Sequence, residues 1–165
     1  MASKKPIVKQ IAWLSVFPQI ALLIGMIFLA QFMGFKNFIF PGLIMYLAIS
    51  LPLRFGVPYH HRKGIALVKK GAFAEAIPFF EKSYIFFKKY KWIDTYRYIT
   101  LLSSSRISYT EMALLNIAFC HGQSGDGQMS RHYYEKTLHA FPDSEMANAS
   151  LRMFDAAKDL TDSQN

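Results

Sequence analysis

Two long apolar runs precede a region with a more polar, helix-like pattern. Residues 11–33 (IAWLSVFPQIALLIGMIFLAQFM) carry no ionisable side chain, and residues 38–53 form a second, shorter apolar run. An α-helix rises about 1.5 Å per residue, so the first run can cross about 30 Å of hydrocarbon. The second run, counted out to Phe55, lies near the lower limit for a span. The pattern therefore predicts a two-helix transmembrane hairpin over about 11–33 and 38–55, joined by a short turn.

Other interpretations of these runs are weaker. Residues 11–33 exceed the apolar core of a cleavable signal peptide, and no small-x-small pattern ends them. A buried helix pair in a soluble domain rarely contains so long an uncharged segment. Pro41 and Pro52 in the second run suit the first turn of a helix and its exit. The alternative for residues 38–53 is a re-entrant segment, which enters and leaves the membrane through one leaflet.

The distribution of charge agrees with a membrane anchor. The net charge is +8, and residues 1–74 contain no Asp or Glu. Basic residues flank apolar spans on the cytoplasmic side and contact anionic headgroups, which explains this charge better than nucleic-acid binding does. Both ends of the hairpin are basic and its turn holds a single Lys36, so we expect both termini to be cytoplasmic. The predicted membrane-interface residues are Lys4, Lys5, Lys9, Arg54, His60 and His61.

A repeat follows the apolar part of the chain. Residues 79–83 (FFEKS) return as residues 133–137 (YYEKT), at an offset of 54 residues. The same offset relates three pairs of small residues: Gly64 and Ala118, Gly71 and Gly125, and Ala76 and Ser130. Glycine ends helices readily, and small residues let two helices approach while an aromatic side chain, Phe80 or Tyr134, fills the gap. Two helix–turn–helix units are therefore predicted.

This pattern resembles the tetratricopeptide repeat (TPR), a helix–turn–helix unit of about 34 residues. Residues 64–83 (GIALVKKGAFAEAIPFFEKS) are similar to its core, and residues 111–144 cover the full unit with its terminal Pro142. The first copy lacks that proline, and neither copy has the family's usual tryptophan. The resemblance implies that residues 57–158 form a TPR-like α-α superhelical domain of about two repeats. With the basic tail and transmembrane hairpin predicted for residues 1–56, the expected fold is all-α.

The expected order within that domain is repeat one at 57–90, an insertion at 91–110, repeat two at 111–144 and a capping helix at 145–158, before a flexible tail at 159–165. The insertion is predicted to hold a helix up to Leu102 that packs on the convex side or reaches the membrane or a partner. Residues 108–111 (SYTE) have the form of a capping box. Asp143 or Ser144 is predicted to cap the last helix, which covers the exposed end of the repeats.

Candidate chemistry is sparse in this sequence. His60 and His61 would point about 100° apart on a helix, and no acidic or Cys ligand stands beside them, so we expect no metal site. Cys120 and His121 are neighbours on one predicted helix and face different ways, which favours packing over a nucleophile and its base. We expect no enzymatic activity and no cofactor.

TPR units generally bind proteins through the first helices of successive repeats, and the resemblance implies the same here. The candidate partner-binding residues on this concave face are Arg62, Lys63, Leu67, Lys70, Leu114, Asn116, Phe119 and Gln123. The overall plan resembles small bacterial membrane proteins with TPR units. It implies an adaptor on the cytoplasmic face of the inner membrane that binds a protein partner. The charge is net basic over residues 54–106 and net acidic beyond, so a groove near the membrane would favour acidic segments. The alternative is an accessory subunit or assembly factor of a larger membrane complex, bound through the hairpin.

Overall fold

A computed structural model describes residues 16–162 of the chain, whose regular elements are all helices, with no strand in that range. The helices are α1 (Val16–Phe32), α2 (Ile39–Leu51), α3 (Tyr59–Lys69), α4 (Phe73–Lys89), α5 (Lys91–Thr95), α6 (Arg97–Thr100), α7 (Tyr109–Gln123), α8 (Gly127–Ala140) and α9 (Glu145–Asp162). They divide into two compact units. The first comprises the described residues up to Val57 together with Thr95–Ser108, and the second comprises Pro58–Asp94 and the chain from Tyr109 onward.

Helices α1 and α2 of the first unit pack directly on each other. The contact is closest at Gly42, where an added Cβ would lie 2.6 Å from the Cα of Ile27, so a larger residue would force the helices apart. The sequence suggested that α2 ends at Pro52, but the helix continues past this residue. It continues as a π-helical turn, Pro52–Gly56, in which the Val57 amide donates to the Pro52 carbonyl, so Ile39–Gly56 forms 18 continuous helical residues.

The apolar helices of the first unit differ in length. Among the described residues, Ile39–Gly56 is the one helix long and apolar enough to cross a bilayer, and Val16–Phe32 is apolar but shorter. Residues 11–15 of the predicted first span lie outside the described residues, as do Lys4, Lys5 and Lys9.

The insertion does not form the single helix that was predicted. Its helical part breaks at Tyr96 into α5 and α6, and the segment Thr95–Ser108 groups with the N-terminal helices instead of the helical domain. The Nε2 of Gln19 in α1 donates to the carbonyl oxygen of Leu102 at 3.0 Å. Leu102 has a φ of +48° and is buried. A polar group inside an apolar helix needs a partner, and this carbonyl provides it.

Helices α3 and α4 of the second unit pack as a pair, α7 and α8 pack as another, and α4 packs against α7. Gly71 (φ +79°) and Gly125 (φ +85°) follow α3 and α7 in left-handed conformations that glycine adopts without strain. Gly64 lies against the Phe80 ring, since an added Cβ would be 2.7 Å from it. This confirms the predicted contact between a small residue and an aromatic side chain.

Two buried clusters hold the second unit together. Ala76, Phe80, Ile117 and Cys120 form the first, and Leu115, Ala118, Tyr134 and Ala147 form the second. Leu151 and Phe154 of α9 pack on the second cluster, so the last helix covers that end as predicted. Arg131 of α8 also pairs with Asp155 of α9 at 2.8 Å.

The start of α7 has an acceptor that the sequence analysis did not name. Asp94 of α5 accepts hydrogen bonds at the start of α7 from the amides of Tyr109 (2.7 Å) and Thr110 (2.9 Å) and from the Thr110 hydroxyl (2.6 Å). The predicted cap by Ser144 is wrong, because its Oγ is buried without a hydrogen-bond partner. Helix α9 also runs to Asp162, beyond the predicted Lys158.

Candidate partner-binding site

The eight residues predicted for the concave face differ in exposure. Five of them are exposed: Arg62, Lys63, Lys70, Phe119 and Gln123. Leu67 and Asn116 are half-buried, and Leu114 is completely buried. The prediction that Leu114 contacts a partner is therefore wrong. Because α4 and α8 both pack on α7, most of the circumference of α7 is covered, and Leu114 faces a neighbouring helix instead of solvent.

The part of α7 that stays open carries Asn116, Phe119 and Gln123, which we call the open α7 face. The Asn116 side chain donates to the carbonyl of Met112 at 2.7 Å, so it is held against its own helix. The Phe119 ring is 36% exposed and meets the ring of Phe73 edge to face, with 5.8 Å between centroids. A partly exposed aromatic ring held by a second ring is a rigid contact point of the kind that anchors protein interfaces.

Basic side chains lie close in sequence to this aromatic contact. The exposed Lys70 caps the C-terminus of α3 three residues before Phe73, whose ring touches Phe119. Lys69, also exposed, occupies the last turn of α3. Lysine at this end of a helix agrees with the helix dipole. The combination of an aromatic ring and exposed ammonium groups suits an acidic, partly apolar segment of a partner.

Lys63 belongs to a different surface from Phe119. Its ammonium lies 4.7 Å from the centroid of the Phe79 ring and 6.0 Å from that of Tyr59. Lys82 stands over the same Phe79 ring at 5.9 Å, and His60 stacks on it at 6.4 Å. These five residues form an aromatic–lysine edge between α3 and α4. Cation–π contacts of this kind stabilise by about 0.5–1 kcal/mol when exposed, so the Lys63 charge is already engaged within the protein.

His61 was assigned to the membrane interface, and the structure places it in the core of the second unit instead. Its ring is 6% exposed, meets Phe80 and Tyr109 edge to face, and has its Nδ1 3.4 Å from the Ser83 hydroxyl. Burial lowers the pKa of His61 to about 4, against a smaller opposing effect of the Asp94 charge. The imidazole is therefore neutral at pH 7 and supplies no charge for lipid headgroups.

A second aromatic–lysine cluster joins α4 and α8, and the sequence analysis did not identify it as a unit. The Lys136 ammonium lies 5.3 Å from the Tyr84 ring centroid and 5.1 Å from that of Tyr133. His121 stacks on Tyr133 with 5.5 Å between centroids. The 54-residue offset relates Lys82 over Phe79 to Lys136 over Tyr133. This correspondence could have identified the second cluster from the sequence, because a lysine three residues after an aromatic residue lies beside it on a helix.

The side chains that could carry chemistry are arranged for packing. Cys120 is fully buried, and burial raises the pKa of its thiol to about 11, so the reactive thiolate is scarce at neutral pH. The Nδ1 of His121 is 3.5 Å from Asp126, and its ring lies on Tyr133 instead of facing Cys120 as a base would. No three His, Cys, Asp or Glu side chains come together as metal ligands within residues 16–162.

The chain matches no protein-family model, no curated protein and no solved structure. What the described residues define is the broad class of all-helical proteins.

Proposed function

We propose that this protein is a membrane-anchored adaptor whose helical domain binds a protein partner on the cytoplasmic face of a bacterial inner membrane. The observation that carries the proposal is the exposure of large apolar side chains on α1 and α2. Phe17, Phe28, Phe32 and Phe40 all face outward there, and Phe32 is 89% exposed. Soluble monomers rarely expose contiguous apolar patches beyond a few hundred Å². Hydrocarbon is the solvent in which such a surface is stable.

The interpretation of the second unit as TPR-like rests on its internal correspondence. Glycines in the left-handed conformation follow α3 and α7 at the 54-residue offset, and an aromatic–lysine pair recurs on α4 and α8. Stacked helix pairs of this kind leave one face of the first helix in each pair open for binding. The open α7 face, together with Lys70, is the surface we assign to the partner, and its chemistry favours an acidic segment.

The membrane part of the proposal is tested by labelling single cysteines in intact cells. Lys36→Cys, in the turn between α1 and α2, should react with a membrane-impermeant maleimide from outside. Asn165→Cys should react after permeabilisation alone. The buried Cys120 gives a low background. Labelling of Asn165→Cys in intact cells would overturn the assigned topology, and equal protection of both sites would argue against a span.

The adaptor part is tested by affinity purification of the full chain in mild detergent, followed by mass spectrometry. Lys70→Glu and Phe119→Ala should each weaken capture of a partner, whereas Lys63→Glu is a matched control, since its ammonium lies over Phe79. An equal loss with Lys63→Glu would show that the open α7 face is not the binding site. Capture that survives both site variants would count against the adaptor function itself.

A second candidate, an accessory subunit bound through its transmembrane helices, has one specific observation in its favour. Ala21 and Gly25 are exposed four residues apart on α1, and nothing lies within 4 Å of a Cβ added at Gly25. Small residues at this spacing let membrane helices pack closely. Gly25→Leu should then dissociate a membrane partner without disturbing the contact between α1 and α2. If co-purification depends on Gly25 and not on Phe119, this candidate replaces the adaptor.

A further inference from the structure

The segment Thr95–Ser108 carries an exposed apolar surface of its own. Tyr96 and Ile99 are 60% and 64% exposed, whereas Leu101 and Leu102 beside them are buried within the first unit. Tyr96 and Ile99 are three residues apart at the start of α6, so they share one side of that turn. The exposed Tyr96 and Ile99 therefore form a small apolar surface beside the buried pair Leu101 and Leu102.

The position of this segment along α1 follows from the contacts of the first unit. Six residues join α1 to α2 and the two helices pack, so they run in opposite directions. Gly42 lies against Ile27, and the same register sets Gln19 opposite Ser50, four residues before Arg54. At 1.5 Å per residue, Gln19 lies about 6 Å deeper than the level of Arg54.

That depth corresponds to the boundary between headgroups and acyl chains. Gln19 donates to the Leu102 carbonyl, which ties Thr95–Ser108 to α1 at this level. Interfacial segments bury their apolar side about 5–10 Å into the same zone, and tyrosine is enriched there because its ring is apolar and its hydroxyl polar. Arg54, at the outer level, is suitably placed to contact lipid phosphates.

The charges of the segment fit an anionic surface. Thr95–Ser108 contains Arg97 and Arg106 and no acidic residue. The guanidinium of Arg97 is used inside the segment, where its Nε donates to the Ser105 carbonyl at 3.0 Å and its Nη2 to the Tyr98 hydroxyl at 3.2 Å. The bond to Ser105 ties that residue back to α6, and Tyr96 and Ile99 stay exposed.

We propose that Thr95–Ser108 is a second membrane contact, an interfacial segment that inserts Tyr96 and Ile99 into the headgroup–acyl boundary of an anionic bilayer. The inference rests on the proposed membrane anchor and adds to it. The anchor alone requires lipid around α1 and α2, whereas this segment comes from the middle of the chain and adds a contact at the lipid surface.

The test uses tryptophan fluorescence of the full chain in nanodiscs that contain phosphatidylglycerol. In a Trp13→Phe, Trp92→Phe background, Tyr96→Trp and Ile99→Trp each report on the segment. Phe28→Trp reports on the anchor, and Met153→Trp, 75% exposed on α9, is the aqueous control. Lipids brominated near the headgroup, or near the chain end, quench tryptophans at the matching depth.

The segment probes should emit at shorter wavelength than the Met153 probe and lose about half their fluorescence with bromine near the headgroup, as a shallow position predicts. The Phe28 probe should respond more to bromine near the chain end. If Phe28→Trp is quenched and neither segment probe is, this inference fails while the anchor stands. If Phe28→Trp is not quenched either, the anchor itself fails. Blue-shifted but unquenched segment probes mean that protein covers them, which also overturns the inference.

Discussion

Phenylalanine occupies opposite positions in the two units. Phe80 and Phe87 of the second unit are almost completely buried, whereas Phe28 and Phe32 of the first unit lie on its surface. The first unit buries small residues at its helix contact instead, such as Ala30. Burial of apolar surface from water stabilises by about 25 cal/mol per Å². The second unit gains this free energy by burying apolar side chains in its own core. The first unit would gain it if its exposed phenylalanines lay in lipid.

The buried polar groups of the two units differ in how far apart their partners lie along the chain. Two buried polar side chains of the second unit contact another element: His61 lies near Ser83, and Asp94 accepts hydrogen bonds at the start of α7. In the first unit, the buried carbonyl of Leu102 is paired with Gln19. An unpaired polar group is costly in either solvent. The two units therefore differ in whether their large apolar side chains are exposed or buried. They also differ in the sequence separation between the partners of these hydrogen bonds.

The largest expected effect compares one phenylalanine from each unit. Phe80→Ala should lower the free energy of unfolding of the second unit by about 3–5 kcal/mol, because it leaves a cavity in the core. Phe28→Ala, its matched control, should leave that value unchanged within about 0.5 kcal/mol, as surface substitutions do. Pulse proteolysis of the full chain in mild detergent with increasing urea measures both. Equal effects would contradict the assignment of opposite solvents to the two units.

The second effect is a pH dependence specific to the core of the second unit. The pKa of His61 is about 4 in the folded protein and 6.5 in the unfolded chain. Between those values the unfolded chain binds more protons, so stability falls as the pH falls from 6.5 to 4. A difference of 2.5 pH units corresponds to about 3 kcal/mol.

Unfolding measured at several pH values should lose this contribution in His61→Gln. The exposed His132 offers the control, since His132→Gln should keep the pH dependence of the parent protein. An unchanged profile in His61→Gln would mean that another group carries the acid sensitivity.

The third effect compares two caps within the second unit. Asp94→Ala should cost about 2–3 kcal/mol, since it leaves two amides and a hydroxyl at the start of α7 without their charged acceptor. Asp126, exposed at the start of α8, accepts from the Met129 amide at 3.0 Å, and Asp126→Ala should cost about 1 kcal/mol. Urea unfolding of the two variants side by side tests the order, and a larger loss at Asp126 would contradict it.

The smallest effect concerns the close helix contact at Gly64. Gly64→Ala places a Cβ 2.7 Å from the Phe80 ring and should destabilise by about 1–2 kcal/mol, despite the better helix propensity of alanine. Gly127→Ala, where the nearest atom would be 3.8 Å away, should be neutral or slightly stabilising. The midpoint of thermal unfolding, measured for each variant and for the parent protein, tests this difference in stability. A stabilising Gly64→Ala would mean that the Phe80 ring moves aside easily.

The sequence was informative where local chemistry fixes the structure. Gly71 and Gly125 were expected to end helices, and the structure gives both a positive φ there. Repeat one was expected to end at residue 90, and its second helix, α4, spans Phe73–Lys89 with Pro78 inside it. These features depend on residues a few positions apart, which a single sequence displays directly.

Features that depend on distant neighbours were missed. Asp94 lies 15 residues before the amide that it caps, so no local motif identified it. Leu114 was assigned to the surface because α7 was expected to have an open face like α3. The run 113–118 (ALLNIA) is apolar on nearly every side, and a helix of that kind is usually surrounded by others. His61 was assigned to the membrane interface because its neighbours Arg62 and Lys63 are charged, whereas its ring packs on the distant residues Phe80 and Tyr109.

The bond between Gln19 and Leu102 has a consequence for the order in which the protein forms. Its partners are 83 residues apart, and chains are synthesised at about 5–20 residues per second, so about 4–17 s separate their appearance. The N-terminal helices must therefore wait, with Gln19 unpaired, until α3 and α4 have been made. Contacts between distant residues slow folding. Helix α1 is thus synthesised before α3 and α4, and its hydrogen bond to Leu102 forms after them.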